Sequence, residues 1–162
     1  MSAENQPFEA HDHGGCVSRV SDAVEEACRE QGLRLTPIRR SVLEILLEEH
    51  KALGAYDVLT RLADAGRPAH PPVAYRALDF LVANGFAHKI ERLNAFVACL
   101  HPDGGHCPAF LICRECRVVA EADVPLGEGT LGRAAEGLGF RLEGAVIEAE
   151  GLCPACVGAA AT

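Results

Sequence analysis

The sequence predicts an α+β protein, with an N-terminal winged helix-turn-helix of the DNA-binding type and a small C-terminal α/β unit closed by four cysteines. Three observations carry that expectation. Apolar residues recur at helical spacing as far as Val82, and after Gly85 the period changes to two. Cys113-Arg114-Glu115-Cys116 is answered near the C-terminus by Cys153-Pro154-Ala155-Cys156. The formal net charge is −8, yet the basic groups gather in one segment. Residues 1–31 hold two basic and seven acidic groups, residues 93–162 four and nine, and residues 32–92 nine against seven. Any DNA-facing surface therefore belongs to the middle of the chain.

The opening MSAENQPFEAHDHGG has neither a basic start nor an apolar stretch, so no signal peptide is expected. No apolar run approaches the roughly 18 residues of a membrane span, so no membrane partner is expected. Eight cysteines in such a chain point to a reducing cytoplasm and to metal binding.

In order along the chain, residues 1–16 read as a mobile tail that carries His11 and His13. Val20, Val24, Ala27 and Cys28 mark a helix over 18–31, ended by Gly32. Thr36-Pro37 starts a second helix, with Thr as N-cap and Pro at the first position, running to about Glu49. A third spans 56–65 and closes at Gly66. Pro71-Pro72 opens a fourth, which Asn84-Gly85 stops. Residues 86–90 and 95–99 then form a β-hairpin around Glu91-Arg92-Leu93-Asn94, and the helix before this wing is the one expected to enter a major groove. The winged helix accordingly covers 17–99, a linker 100–107, the C-terminal domain 108–157 and a second tail 158–162.

In the C-terminal domain, strands are expected at Phe110-Leu111-Ile112, at 117–123 and at 140–150, with a Gly-diluted helix over 126–138. So small a sheet gains stability by pairing with a second copy, which makes this a dimerisation domain.

Four thiolates in two knuckles make the sulfur cage that zinc prefers, and a closed cage is structural. The bland alternative, two redox pairs, lacks an oxidising compartment. A hairpin symmetric about Arg92-Leu93 pairs His88 with Val97 and puts Cys99 two residues on along the same face. With His106 and Cys107 following shortly, the pattern predicts a second metal site. Enzymatic chemistry is not expected: Cys28-x-Glu30 and Cys113-x-Glu115 occur, but neither Cys pair follows a Pro as zinc deaminases require, and there is no His-Glu-x-x-His.

Several motifs resemble the ferric uptake regulator family, and within it the zinc-responsive branch. They are Arg34-Leu35-Thr36-Pro37-x-Arg39, Ala55-Tyr56-Asp57-Val58-Leu59, Pro71-Pro72-Val73-Ala74-Tyr75-Arg76-Ala77-Leu78-Asp79-Phe80-Leu81, Gly85-Phe86-Ala87-His88-Lys89, and Val146-Ile147-Glu148-Ala149-x-Gly151-Leu152-Cys153. The resemblance covers about residues 20–157. It implies a cytoplasmic homodimer that, loaded with zinc, represses zinc-uptake genes at a palindromic double-stranded operator. It implies two zinc ions per chain: a structural one on Cys113, Cys116, Cys153 and Cys156, and a regulatory one on His88, Cys99, His106 and Glu121, with Cys107 as a competing thiolate. Such a ligand set draws on the wing, the linker and the C-terminal domain. Tyr56 and Arg76 match positions that meet bases, Tyr75 lies beside them, and Arg34, Arg39 and Arg40 are candidate phosphate contacts. Ala74 stands where the family usually has Thr, which implies a lost backbone-phosphate contact. The alternative within the family is an iron- or peroxide-responsive regulator; the His-rich run those branches carry before the first knuckle is reduced here to His106.

Overall fold

The structure is a computed structural model that describes residues 13–102, 107–125 and 127–160. The chain divides into two compact units, Met1–Asp103 and Gly104–Thr162. Among the described residues, no helix is long and apolar enough to cross a membrane.

The first unit is built from helices α1 (His13–Glu30), α2 (Pro37–Leu47), α3 (Ala55–Asp64) and α4 (Pro71–Ala83), followed by strands β1 (Ala87–Ile90) and β2 (Ala95–Ala98). Val20 and Val24 of α1, Leu43 and Leu46 of α2, Val58 and Leu62 of α3 and Leu78 and Leu81 of α4 interlock in one buried core. The 3.6-residue spacing of these side chains is the reason each segment is a helix with one apolar face. Helix α1 begins at His13, five residues before the expected start. Cys16 and Val17 pack against the core, and that packing outweighs the roughly 1 kcal/mol that each of Gly14 and Gly15 costs a helix. The remainder of the expected tail, with His11, lies outside the described residues.

Thr36 occupies the N-cap position of α2 with extended backbone, but its hydroxyl makes no cap bond and is buried without a hydrogen-bond partner. Helix α2 stops at Leu47 rather than near Glu49. Beyond it, Glu48 and Glu49 accept hydrogen bonds from Arg61 of α3 at 2.5 and 2.8 Å, which fold the chain back along α3. The first turn of α3 is capped in turn by Asp57, whose carboxylate accepts the Gly54 N–H at 3.0 Å.

The junction between α4 and the wing turns on Gly85, at φ +73°. Its N–H donates to the Val82 carbonyl at 3.1 Å and the Phe86 N–H to the Leu81 carbonyl at 2.8 Å. This is the paired C-terminal closure that requires a left-handed residue. The wing then forms in the expected register, with His88 opposite Val97 and Ala87 opposite Ala98. A single 3-10 turn at Glu91–Leu93 and a left-handed Asn94 connect the strands. Leu53 and Phe96 exchange main-chain hydrogen bonds of 2.9 and 2.8 Å, tying the α2–α3 connection to the wing.

The second unit contains β3 (Pro108–Cys113), β4 (Val119–Asp123), α5 (Gly129–Gly137), β5 (Ile147–Gly151) and α6 (Pro154–Ala160). The sheet order is β4-β3-β5, antiparallel between β4 and β3 and parallel between β3 and β5. Two expectations need correction here. The strand expected over 140–150 pairs only from Ile147; Phe140 serves the end of α5, donating its N–H to the Ala135 carbonyl at 2.8 Å, and its side chain is 64% exposed. The C-terminal tail expected from residue 158 is helical through Ala160, because Pro154 sits at the first helical position of an Ala-rich run.

Gly85→Ala meets no steric obstacle, since nothing lies within 4 Å of an added Cβ. Its cost is conformational, and denaturant unfolding is expected to show a loss of about 1–2 kcal/mol. An unchanged midpoint would mean that α4 and the wing do not depend on the left-handed turn.

Candidate metal centre and nucleic-acid interface

Cys113 ends β3, and the chain reverses through Arg117 at φ +64°, whose N–H donates to the Cys113 carbonyl at 3.0 Å. The second knuckle follows β5, with Cys156 one helical turn after Cys153 in α6. Because β5 lies parallel to β3 with Gly151 opposite Cys113, the two knuckles emerge at the same end of the sheet. The Arg114 N–H donates to the Gly151 carbonyl at 3.0 Å and fixes their spacing. That pairing is what closes the 36-residue gap between them.

All four Sγ atoms lie within 4.8 Å of one another. Cys116 and Cys153 Sγ are 3.7 Å apart, close to the roughly 3.8 Å edge of a tetrahedron with Zn–S bonds of about 2.3 Å. Disulfide sulfurs sit at about 2.05 Å, and all the described cysteines are free. Four sulfurs gathered round one point, rather than in two separate pairs, are what a shared metal ion requires. Hydrogen bonds from the main-chain N–H of Cys116, and then of Cys153, draw the Cys113 thiol down to about 6. Cys156 is pushed up to about 12, chiefly by its contact with Cys153 and then with Cys113 and Cys116. The cluster thus favours one thiolate readily and resists a further one, and a divalent cation relieves that crowding of negative charge. The residues fit a zinc ion held by four sulfurs.

The second predicted set is placed in part. His88 stands on β1 opposite Val97, and Cys99 follows the end of β2, its N–H donating to the Phe86 carbonyl at 2.9 Å. Cys99 is fully buried. Glu121 lies on β4 opposite Phe110 and is a rare buried carboxylate. His106 lies outside the described residues. Cys107 is engaged elsewhere: its Sγ donates to the Ala145 carbonyl at 3.1 Å.

Tyr56 projects from the first turn of α3, 78% exposed, and Tyr75 and Arg76 are exposed on α4. Tyr56 and Tyr75 line one open groove of about 600 Å³ together with Asp79 of α4 and Lys89 of β1. Lys89, whose Nζ is 3.0 Å from the Glu91 carboxylate, was not singled out by sequence; only its place in the wing motif marks it. Arg34 is exposed before α2. Arg39 and Arg40, though partly exposed, each meet a partner within the protein. Arg39 stacks on Phe80, and Arg40 pairs with Glu25 of α1, holding that carboxyl below its usual range. Ala74, the departure from Thr, is fully buried.

A winged helix joined to an α/β unit with a four-thiolate cage defines the class of protein. No protein-family model matches the chain. A zinc uptake regulation protein of Escherichia coli (strain K12) is 42% identical over 134 residues, spanning 82% of this chain and 78% of its own length. The transcriptional regulator FurA of Mycobacterium tuberculosis (strain ATCC 25618 / H37Rv) is 32% identical over 145 residues, 86% of this chain and 93% of its own. Among solved structures, a zinc uptake regulator complexed with zinc and DNA superposes with a TM-score of 0.80 at 39% identity, covering 90% of this chain and 98% of its own. The chain belongs to the ferric uptake regulator family, in its zinc uptake regulator branch.

Cys153→Ser is expected to remove one zinc per chain and to unfold the second unit, since metal binding on the order of 10 kcal/mol holds the ends of β3 and β5 together. Metal stoichiometry and far-UV circular dichroism measure both. A folded variant with its zinc retained would show that the cage is not structural.

Proposed function

We propose that the chain is a zinc-sensing transcriptional repressor that binds a palindromic operator as a zinc-loaded homodimer in the cytoplasm and controls zinc-uptake genes. It is a transcription regulator and not an enzyme. The observation that carries the reading is the wing register, which sets His88 and Cys99 diagonally on one face of the hairpin that directly follows α4. The relative seen with zinc and DNA supports the same reading, and similarity to the zinc uptake regulation protein exceeds that to FurA, 42% against 32%.

The proposed second site uses His88, Cys99, His106 and Glu121. Its imidazoles, thiolate and carboxylate suit zinc better than a hard, oxygen-preferring ion. A zinc ion bound there would offset the cost of burying the Glu121 carboxylate, and Cys107, already donating to Ala145, leaves Cys99 as the thiolate. A zinc ion held by these residues would tie them to one point. His88 and Cys99 contribute the wing's donors to it, and through the wing they restrain α4. A protein so ordered needs less reorganisation to match two half-sites, so metal and DNA binding strengthen each other.

Arg76 on α4 presents a guanidinium to guanine edges, Tyr56 and Tyr75 flank the same groove, and Arg34 offers a phosphate contact. Dimerisation falls to the second unit, in which Leu111 of β3 and Phe140 and Val146 between α5 and β5 are well exposed, apolar surface that a second copy would cover.

Native protein is expected to hold two zinc ions per chain and Cys99→Ser one, with the variant folded but indifferent to added zinc in DNA binding. Equal zinc content in both would remove Cys99 from the site. Arg76→Ala is expected to cost about 1–3 kcal/mol at a matched duplex and little at a scrambled one. Equal losses on both would make Arg76 a phosphate contact.

A further inference from the structure

We infer that Arg39 is a positioning residue for α4, acting through the ring of Phe80 rather than through DNA phosphate. The inference rests on the reading above, in which α4 meets the bases. Arg39 Cζ lies 3.7 Å from the centroid of Phe80, and its Nη1 donates to the Arg34 carbonyl at 2.5 Å. The guanidinium is therefore held at its edge by the segment leading into α2 and spends its face on α4. The flat stack needs a planar, delocalised cation, which a lysine ammonium does not reproduce.

Phe80 is a sensitive point to hold. It follows Arg76 by four residues, one turn along α4, so a rotation of the helix that moves one moves the other. Its ring also meets Phe86, with centroids 6.2 Å apart and planes at 54°. Phe86 is fully buried, its N–H donates to the Leu81 carbonyl, and its carbonyl accepts the Cys99 N–H. Asn84 Nδ2 donates to the Phe80 carbonyl at 2.7 Å. The ring is thus gripped from the wing side by Phe86 and from α2 by Arg39, and these contacts together set the rotation of α4 about its axis. An arginine used this way neutralises no phosphate and releases no counterion, so removing it leaves the salt dependence of binding alone.

The test uses the zinc-loaded full chain, a duplex that the native protein selects from a random-sequence pool, and a scrambled duplex of the same composition. Arg39→Gln is expected to weaken binding to the selected duplex roughly five- to tenfold, the size of a cation–π contact between its exposed and desolvated limits. The scrambled duplex and the slope of log K against log salt should be unchanged. Arg39→Lys, which restores the charge, should not rescue discrimination. Adding Phe80→Leu to Arg39→Gln should lose little more than the worse single variant. Equal losses on both duplexes, a slope shallower by about 0.9, or rescue by lysine would make Arg39 a phosphate contact and overturn the inference. If Arg39→Gln unfolds below the assay temperature, Phe80→Leu alone carries the test, and undiminished discrimination there overturns it. A native protein that selects no duplex would instead overturn the DNA-reading function on which this rests.

Discussion

Four sulfurs within 4.8 Å of one another cannot all carry charge unless a cation sits among them. That constraint organises the second unit. A three-stranded sheet with a nine-residue helix, α5, buries little apolar surface, and small units of this kind are commonly fastened by metal. Here the fastening joins the end of β3 to the start of α6. The parallel pairing of β5 with β3 is what lets two cysteine knuckles separated by 36 residues share one centre.

The first unit needs no such fastening, because its helices share a continuous apolar core. Its demands are on orientation. Helix α4 is held at its C-terminal end by the left-handed Gly85, by Asn84 on the Phe80 carbonyl, and by Phe80 between Arg39 and Phe86. The same few residues lead directly into the strand carrying His88, and Phe86 receives the main-chain hydrogen bond of Cys99. Any restraint placed on those two donors therefore reaches the helix over a short path of main-chain bonds and ring contacts.

Much of this was legible before the structure. Thr36-Pro37, Pro71-Pro72, Gly66 and Gly85 punctuate helices for local reasons of φ and missing donors, and the hairpin register followed from the symmetry of its turn. The paired cysteines announced their cage through spacing alone. Other features depend on partners that are distant in sequence. Gly14-Gly15 read as part of a mobile tail, yet the packing of Cys16 and Val17 carries α1 through them. The alternation from Phe140 to Ala145 looked like a strand, but only the residues from Ile147 on find β3. Arg39 and Arg40 read as candidate phosphate contacts; nothing local announces that Phe80 and Glu25 lie within their reach. The side chain of Cys107 likewise found its partner, the Ala145 carbonyl, 38 residues away.

The central claim is that metal and DNA binding are coupled through the second zinc site, and linkage makes that coupling reciprocal. The direct measurement is a zinc titration of protein already holding one ion per chain, with and without saturating selected duplex. The account predicts that DNA tightens the second zinc by the same factor by which that zinc tightens DNA. Superimposable isotherms would contradict it.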